Sequence, residues 1–276
     1  MTFEQFAVAH GLIIKRLDFG KWSRTATTDK PKSKNGAYKH LGDVAFVQNH
    51  ATMPEPAVWF PDKDTDIKVD AAEIARLRAN ADRQIEENRK KAAVKAQSIL
   101  KQSTCEQHAY LDGKGFPEMR GLVYRPEENT NLLVIPMRVG KQVVGCQLIN
   151  RDGEKKFLFG QRCAGAEYAI DGHGVDVWCE GYATGLSISV AMAAMKTRCC
   201  IHICFSAGNM EAMAKSAGRG FVVADNDISG TGEKAAKATG LNYFLPPDLG
   251  SDFNDYHKGA GTFLAGQALR RFMLKW

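Results

Sequence analysis

Two apolar runs near the C-terminal end of the chain stop abruptly at acidic residues. Residues 175–179 lead into Glu180-Gly181, and residues 221–224 lead into Asp225-Asn226-Asp227. Each run has the length and composition of a buried strand, and a glycine-containing turn and a helical pattern follow it. The carboxyl ends of parallel strands are where open α/β sheets bind their ligands. Three carboxylates at such an edge predict a Mg²⁺ site.

The alternation of apolar and helical segments after residue 175 predicts a mostly parallel sheet with helices on both faces. The expected strands are 175–179, 199–205, 220–224 and 242–245, and the expected helices are 183–196, 208–217, 230–239 and 262–273. A dinucleotide-binding Rossmann domain has the same rhythm, but it needs Gly-x-Gly-x-x-Gly after its first strand. Here Glu180 occupies the start of that turn, and its carboxylate would repel a pyrophosphate. The pattern therefore argues against dinucleotide binding.

Four short segments carry a resemblance to a known family. They are Glu-Gly-Tyr-Ala-Thr-Gly-Leu-Ser at 180–187, Ala-Asp-Asn-Asp at 224–227, Gly-Glu-Lys-Ala-Ala at 232–236 and Asp-Phe-Asn-Asp at 252–255. A strand-end Glu-Gly followed by Asp-x-Asp resembles a TOPRIM domain. The details are similar to those of DNA primases from phages and plasmids, and the resemblance reaches back to residue 107.

This resemblance implies a DNA primase that synthesises short RNA primers on single-stranded DNA by two-metal-ion phosphoryl transfer. It implies Mg²⁺ or Mn²⁺ as the cofactor, with Glu180, Asp225 and Asp227 as catalytic residues and metal ligands. In the family, the loop after the last strand brings a further acidic residue toward the metals, so Asp252 and Asp255 are both candidate ligands. Spacing does not decide between them, and ordinary turn chemistry also explains a loop rich in Asn and Asp.

A segment of different character precedes the parallel-sheet region. It predicts three strands, at residues 132–137, 143–149 and 152–159. The resemblance matches Lys156, which is followed by an aromatic residue, to the family's active-site lysine, with Lys155 as the competing choice. Arg138 is a further candidate for the same cleft. A cation at this place would hold nucleotide or template phosphate, although an ordinary surface charge explains each of these residues equally well.

Residues 15–39 are dense in positive charge. They contain eight Lys and Arg residues against two Asp residues, and Trp22 and Tyr38 lie among them. Lys and Arg make phosphate contacts, and aromatic rings stack on unpaired bases, so this stretch is a candidate for holding template DNA. The candidate residues are Lys21, Trp22, Arg24, Lys32, Lys34 and Tyr38. A solvated loop with core aromatics explains the same composition equally well.

The seven cysteines include no Cys-x-x-Cys pair, and most of them lie in apolar, strand-like runs. Buried reduced thiols are the expected state, in preference to disulfides or metal ligands. We therefore expect no zinc ribbon of the kind that many primases carry at the N-terminus, and no bound zinc.

These observations predict four regions. They are a small basic N-terminal lobe at 1–69, a long linker helix at 70–104, an α+β subdomain of primase type at 105–170 and a TOPRIM domain at 171–276. The net charge of +6 suits a polyanionic partner. The expected partners are a single-stranded DNA template, ribonucleoside triphosphates and a replicative helicase. Because the sequence has no Gly-x-x-x-x-Gly-Lys-Ser/Thr motif, we expect that helicase in trans or on a missing C-terminal portion.

Two alternative functions remain open. The first is a metal-dependent TOPRIM nuclease, since the same metal site can activate water. The second is a non-catalytic module that binds single-stranded DNA. No apolar run is long enough to span a bilayer, and the first ten residues lack the pattern of a signal peptide. The expected location is the cytoplasm of a bacterial host cell, with no membrane partner.

Overall fold

The computed structural model describes residues 1–53, 55–61, 71–170 and 173–275, except for the side chains of residues 71–75, 77, 78 and 81. The chain divides into two units, residues 1–87 and residues 88–276. The predicted domain boundaries at residues 69–70 and at residue 171 lie outside the described residues.

The first unit is built on a five-stranded antiparallel sheet. Its strands, in spatial order, are β1 (Leu12–Ile13), β2 (Trp22–Thr27), β3 (Gly36–His40), β4 (Ala45–Asn49) and β5 (Ala57–Trp59). Every pair of neighbours is antiparallel. Since consecutive strands are neighbours throughout, this sheet is a simple meander.

Helix α1 (Phe3–Ala9) covers one face of this first sheet. It begins at a capping box in which Thr2 and Gln5 satisfy each other's backbone N–H groups. Phe3 of the helix packs with Tyr38 and Val47 of the sheet in a single buried cluster. Because side chains alternate along a strand, the residues between these point to the opposite face.

A 32-residue helix, α2 (Ala71–Gln102), follows. Ala92, Ala96 and Ile99 of this helix are buried against Val134 and Cys146. Spacings of three and four residues place the three helical residues on one stripe. The part of α2 from residue 88 onward therefore forms a layer of the second unit.

The second unit contains an antiparallel sheet of five strands. They are β6 (Thr104–Gln107), β7 (Arg120–Tyr124), β8 (Leu132–Val139), β9 (Gln142–Ile149) and β10 (Lys155–Phe157), and they lie in the spatial order β10-β9-β8-β7-β6. A short helix, α3 (Ala109–Gly113), connects β6 to β7. Strand β10 is at the edge of this sheet, where it pairs with β9.

The second unit also contains the mostly parallel sheet. Its strands are β11 (Tyr168–Ile170), β12 (Val175–Cys179), β13 (Cys199–Ile203), β14 (Phe221–Val223) and β15 (Tyr243–Phe244), in the spatial order β11-β13-β12-β14-β15. All neighbours are parallel except β11, which runs antiparallel to β13. The fold class predicted from the sequence is confirmed.

Five helices accompany this parallel sheet. They are α4 (Tyr182–Ala194), α5 (Ala207–Ala217), α6 (Thr231–Ala238), α7 (Phe253–Ala260) and α8 (Thr262–Met273). Residues of α4, α7 and α8 pack with one face of the sheet, and residues of α5 and α6 pack with the other. The first of these cores also contains Leu133 and Ile135 of β8. The two sheets of the second unit therefore share one core, which fixes β10 relative to the strand ends of the parallel sheet.

Two elements beside the parallel sheet differ from the expectations. The segment that begins at Asp252 was expected to be a loop, but helix α7 follows because Asp252 and Asp255 form a capping box at its start. Strand β11 was not expected at all. It is only three residues long and pairs at the sheet edge, so it has no hydrophobic period to detect.

Within the described residues, no helix combines the length and the apolar composition that crossing a membrane requires.

Candidate active site

A cleft opens at the carboxyl ends of the parallel strands. Glu180 directly follows β12, Asp225 follows β14, and Asp252 precedes α7. All three contribute to a cavity of about 180 Å³ in the second unit. The described residues that line it are Tyr110, Lys114, Gln147, Lys155, Phe157, Glu180, Gly181, Ala183, Thr184, Phe205, Asp225 and Asp252.

Asp225 is the most strongly perturbed carboxyl group of the cleft. Burial raises its pKa, and the nearby charges of Asp252 and Glu180 raise it further, to about 7, against the opposing effect of Lys155. Among the described residues, no group forms a hydrogen bond to its buried Oδ1 atom. A buried oxygen without a partner is costly, and a cation at this position would satisfy it.

Glu180 is held against the start of helix α5. Its carboxylate accepts a hydrogen bond from the backbone N–H of Ala207, the first residue of that helix. Burial raises the pKa of Glu180, Lys155 lowers it, and Asp227 raises it again, so that the net shift is upward. Glu180 is therefore a carboxylate that takes up a proton more readily than an exposed one.

The side chain of Asp227, the second acid of the Asp-x-Asp pair, forms its hydrogen bonds at the start of helix α6. Its Oδ2 atom accepts a hydrogen bond from the backbone N–H of Gly232 at 2.7 Å, and its Oδ1 atom accepts one from Thr231 at 3.2 Å and another from the hydroxyl of Ser229. The Ser229 hydroxyl and these backbone N–H groups lower its pKa to about 2. Asp227 is close enough to affect the pKa of Asp225, but it caps a helix as the structure stands.

The middle residue of the Asp-x-Asp pair brings Asp252 to the cleft. Asn226 forms two backbone hydrogen bonds with the loop before α7. Its N–H donates to the carbonyl of Ser251 at 3.0 Å, and its carbonyl accepts from the N–H of Gly250 at 2.6 Å. Its side chain donates to the carbonyl of Pro246 at 2.9 Å. These bonds tie the loop to the end of β14, and Asp252 lies in the cleft as a result.

The two acids of this loop occupy different positions relative to the cleft. Asp252 lines the cleft, and its Oδ1 atom accepts a hydrogen bond from the N–H of Asp255 at 2.9 Å. Asp255 returns the contact by accepting from the N–H of Asp252 at 3.3 Å. Asp255 is thus the capping partner of Asp252, and among the described cleft residues only Asp252 represents this loop.

The two adjacent lysines of β10 point to opposite faces, since side chains alternate along a strand. Lys155 and Phe157 line the cleft, and Lys155 lowers the pKa values of both Glu180 and Asp225. Lys156 lies between them and points away. The structure places the competing choice, Lys155, among the carboxylates, whereas Lys156, which the resemblance favours, is not among the described residues that line the cleft.

Arg138 lies near the end of β8, and it is exposed. Its backbone pairs with Glu167 in both directions, and its guanidinium donates to the carbonyl of Lys141 at 3.4 Å. It is not among the described residues that line the cleft. The sequence suggests Arg138 as a further candidate for the cleft, but the structure does not bring its side chain to the carboxylates.

Tyr110 and Lys114, which the sequence analysis missed, belong to the segment around α3. The ring of Tyr110 is buried, and burial followed by the charge of Asp252 raises its pKa to about 12. The carbonyl of Lys114 accepts a hydrogen bond from Asn254 at 2.9 Å, which anchors this segment to α7. No local pattern links residues so distant in sequence to Glu180, so only the fold could reveal them.

Phe205 is another cleft residue that no sequence pattern indicated. It has a φ of 67°, in a left-handed region that a bulky residue rarely adopts and that costs about 1 to 3 kcal/mol. Its N–H donates to the carbonyl of Glu180 at 2.9 Å, and its ring meets Phe157 edge-on at 6.4 Å. The strained backbone therefore holds one wall of the cleft beside the strand-end acid.

Residues 177–262 match the family model of the Toprim domain. This segment is therefore similar to a Toprim domain. The expectation drawn from Glu180, the Asp-x-Asp pair and the surrounding glycines is confirmed at this level. No curated protein matches the chain.

Two solved structures are similar to parts of the chain. The first is a structure of the bacteriophage T7 lagging-strand DNA polymerase interacting with the primase domains of two gp4 subunits bound to an RNA/DNA hybrid and dTTP. It is 11% identical over 62% of this chain and 91% of that chain, with a TM-score of 0.43. The second is the primase fragment of the bacteriophage T7 primase-helicase protein, which is 12% identical over 55% of this chain and 66% of that chain, with a TM-score of 0.40.

The cleft of the Toprim domain has the donors that a hard cation prefers. Glu180, Asp225 and Asp252 supply carboxylate oxygens, which are typical ligands of Mg²⁺ and Mn²⁺. Among the described residues, these oxygens do not form a group of three within 4.8 Å of one another. The buried Oδ1 atom of Asp225, which has no hydrogen-bond partner among the described residues, is the observation that fits a bound cation.

In the first unit, the two candidate aromatic residues have opposite environments. Tyr38 is only 2% exposed, and its hydroxyl donates to the carbonyl of Arg16 at 2.7 Å. This placement corrects the expectation that Tyr38 stacks on a base. Trp22 is 47% exposed, and its ring lies 6.3 Å from that of Phe46. The sheet face opposite α1 therefore presents an aromatic pair that the sequence analysis identified only in part.

The candidate cations of this unit fall into two groups. Arg24 is two residues after Trp22 on β2, so it shares the face of the aromatic pair. Lys32 and Lys34 belong to the loop before β3 and line a surface groove that also reaches Arg24. Lys21 is exposed beside Trp22. Lys21 and Arg24 are therefore exposed beside Trp22, and Lys32 and Lys34 line the groove next to Arg24.

We expect the replacement Trp22→Ala to weaken the binding of single-stranded DNA by about 1 to 3 kcal/mol, since a stacked aromatic contributes about that much per base. Phe263→Ala is the matched control, because Phe263 is an exposed aromatic residue on α8. Fluorescence anisotropy of a labelled oligonucleotide with the full chain measures both variants. Equal affinities for Trp22→Ala and the unmodified protein would show that this sheet face does not bind the strand.

We expect Asp225→Asn and Asp227→Ala to change the stability of the metal-free protein in opposite directions. Asp225 has a raised pKa, so its stabilising contribution is complete below about pH 4 and is lost as the pH rises through about 7. Asp225→Asn should therefore stabilise the fold by on the order of 2 kcal/mol at about pH 8, and by almost nothing at about pH 4. Asp227→Ala removes a helix cap and should cost about 1 kcal/mol.

Urea unfolding in the presence of a chelator, at both pH values, measures these differences. A loss of stability in Asp225→Asn at the higher pH would contradict the view that its carboxylate is a destabilising charge in the absence of a cation.

Proposed function

We propose that this protein is a DNA primase of mobile-element type, which joins ribonucleotides on a single-stranded DNA template by two-metal-ion phosphoryl transfer. The observation that carries the proposal is the meeting of three carboxylates and Lys155 in one cleft of a Toprim domain. A site with both features can hold divalent cations and the triphosphate that they neutralise. The replication of a phage or plasmid is the setting that this proposal implies.

Glu180, Asp225 and Asp252 would hold Mg²⁺ or Mn²⁺, and Asp227 would join them by sharing its capping oxygens. Bound there, the metal ions would lower the pKa of the attacking 3′-hydroxyl and neutralise charge on the triphosphate. Asp255 supports this set indirectly, because it holds Asp252 at the start of α7.

The residues around the carboxylates suit phosphate binding and proton transfer. Lys155 holds a phosphate oxygen as a compact point charge. Gly181 precedes α4 and has no side chain with which to cap it, so the first N–H groups of this 13-residue helix remain available to phosphate. Glu180, whose pKa is raised by burial, would either complete the metal set or accept the proton of the attacking hydroxyl.

The partners of this activity would be a single-stranded DNA template and ribonucleoside triphosphates. The surface around Trp22, Arg24, Lys32 and Lys34 would hold the template while the first two nucleotides are joined. A replicative helicase would unwind the template, either in trans or on a portion of the protein outside this sequence, which itself has no phosphate-binding loop of the helicase type.

Template-dependent incorporation tests the proposal directly. The full chain is incubated with single-stranded DNA of varied sequence, labelled ribonucleotides and Mg²⁺ or Mn²⁺. We expect short new strands and an intact template, and we expect no new strands with Asp225→Asn. Cutting of the template without nucleotides would favour a Toprim nuclease, and binding without either reaction would favour a non-catalytic DNA-binding module.

The two lysines of β10 provide an internal comparison for the same assay. Lys155→Ala should lower kcat/KM for nucleotide incorporation by about 100-fold, which is typical for the loss of one charge-stabilising group. Lys156→Ala is the matched control and should retain nearly full activity, because its side chain is on the other face of the strand. Equal losses in the two variants would remove Lys155 from its proposed role.

A further inference from the structure

A second cluster of metal-binding side chains lies on the parallel sheet, away from the cleft. Asp176 of β12 and Cys200 of β13 are direct partners in the strand register, and His202 follows Cys200 by two residues on the same face. One ligand atom from each of the three lies within 4.8 Å of the other two. Asp176 precedes Glu180 by four residues, which corresponds to roughly 13 Å along a strand.

The histidine of this cluster is oriented as in known metal sites. One carboxylate oxygen of Glu167 lies 2.6 Å from Nδ1 of His202, and Oδ1 of Asp176 lies 3.1 Å from Nε2. A carboxylate that accepts from Nδ1–H fixes the imidazole tautomer in which Nε2 can bind a metal. The contact between Nε2 and Asp176 then joins two ligands of the same ion.

Neighbouring groups hold this arrangement in place. The ring of Trp178 stacks on His202 at a centroid distance of 4.0 Å and an interplanar angle of 15°. Nε of Arg219 lies 2.5 Å from Oδ2 of Asp176, so the other oxygen, Oδ1, faces the histidine. The side chains of His202 and Asp176 are 13% and 10% exposed, which leaves the cluster shielded but accessible to an ion.

We propose that Asp176, Cys200 and His202 form a binding site for a divalent transition metal ion, with Zn²⁺ as the best fit. The ligand atoms would be Oδ1, Sγ and Nε2, and a fourth position would remain for water or another ligand. A thiolate and an imidazole select Zn²⁺ or Co²⁺ over Mg²⁺, which prefers oxygen ligands. The site therefore differs in chemistry from the carboxylate cleft.

The charges of the cluster balance when such an ion is bound. The thiolate of Cys200 and the carboxylate of Asp176 neutralise the two positive charges of the ion, and Arg219 and Glu167 neutralise each other. The expectation of no zinc came from the lack of a Cys-x-x-Cys pair. Here the ligands come instead from two neighbouring strands, in a pattern that no linear motif describes.

Without a metal, the same residues can form an ion-pair network with a protonated histidine. Burial lowers the pKa of His202, but the hydrogen bonds of Glu167 and Asp176 more than offset this effect, so that the net shift is upward. The two arrangements differ in one measurable respect. Only the metal-bound arrangement requires the sulfur of Cys200.

Cobalt is the probe that distinguishes them, because Co²⁺ bound to a thiolate gives a charge-transfer absorption that oxygen ligands do not give. The metal-free full chain is titrated with Co²⁺ in excess Mg²⁺, which occupies the carboxylate cleft. We expect this absorption to saturate at one equivalent and to disappear when Zn²⁺ is added. A chain that gives no charge-transfer absorption would overturn the proposal without any variant.

Two variants locate the site. Cys200→Ser should abolish the absorption, whereas the control Cys199→Ser should retain it, since Cys199 is on the opposite face of β13 and packs against the main core. Circular dichroism checks that both variants are folded. An absorption that survives in Cys200→Ser would show binding only at other thiols, such as the exposed Cys105 and Cys163, and would also overturn the proposal.

A third variant tests the orienting role of Glu167. Glu167→Gln should keep the charge-transfer absorption but weaken the affinity for Co²⁺ by about 10- to 100-fold, as is typical when the partner of a metal-bound histidine is changed. An unchanged affinity would show that Glu167 does not orient His202 for metal binding.

Discussion

Repulsion among buried carboxylates is the interaction on which the organisation of the second unit depends. Acids follow two of the parallel strands. Because the carboxyl ends of parallel strands lie at the same edge of the sheet, Asp225 is close to Glu180 and Asp252. The fold tolerates this concentration of charge by supplying positive potential from several directions. Lys155 approaches from the other sheet, and the first N–H of helix α5 donates to Glu180. The pKa of Asp225, which is about 7, shows that the balance remains incomplete without a cation.

The antiparallel sheet of the second unit has a precise role in this balance. Its strand β10 is short and at the sheet edge, yet it supplies the cation that opposes the cleft carboxylates. Leu133 and Ile135 anchor the sheet in the core that also holds α4 and β12. The position of the lysine is thus set by hydrophobic packing some distance away, and the electrostatics of the cleft depend on a core that contains no charge.

The sequence predicted the parallel sheet and its strand-end acids well, because an apolar run that stops at carboxylates combines two strong signals. The sequence could not distinguish Lys155 from Lys156, because successive side chains of a strand point to opposite faces. A shift of one residue in the predicted register therefore changes which lysine faces the cleft. The sequence could not separate Asp252 from Asp255, because both are explained by one capping box. Tyr38 was misjudged for a related reason. The basic residues near Tyr38 in the sequence lie on the surface, whereas the side chain of Tyr38 itself packs in the core beneath α1.

The pairing of β10 with β9 has a consequence for how this cleft can change over generations. Lys155, Lys156 and Phe157 stand opposite Ile149, Leu148 and Gln147. Deletion of one residue in the connecting turn at Gly153 would slide the strand by one position, and Lys156 would then occupy the inward-facing place of Lys155. A cation would still face the acids, whereas the aromatic wall supplied by Phe157 would be lost. Two adjacent lysines therefore preserve the charge of the cleft when the turn is shortened by one residue, while the shape of the cleft is not protected in the same way.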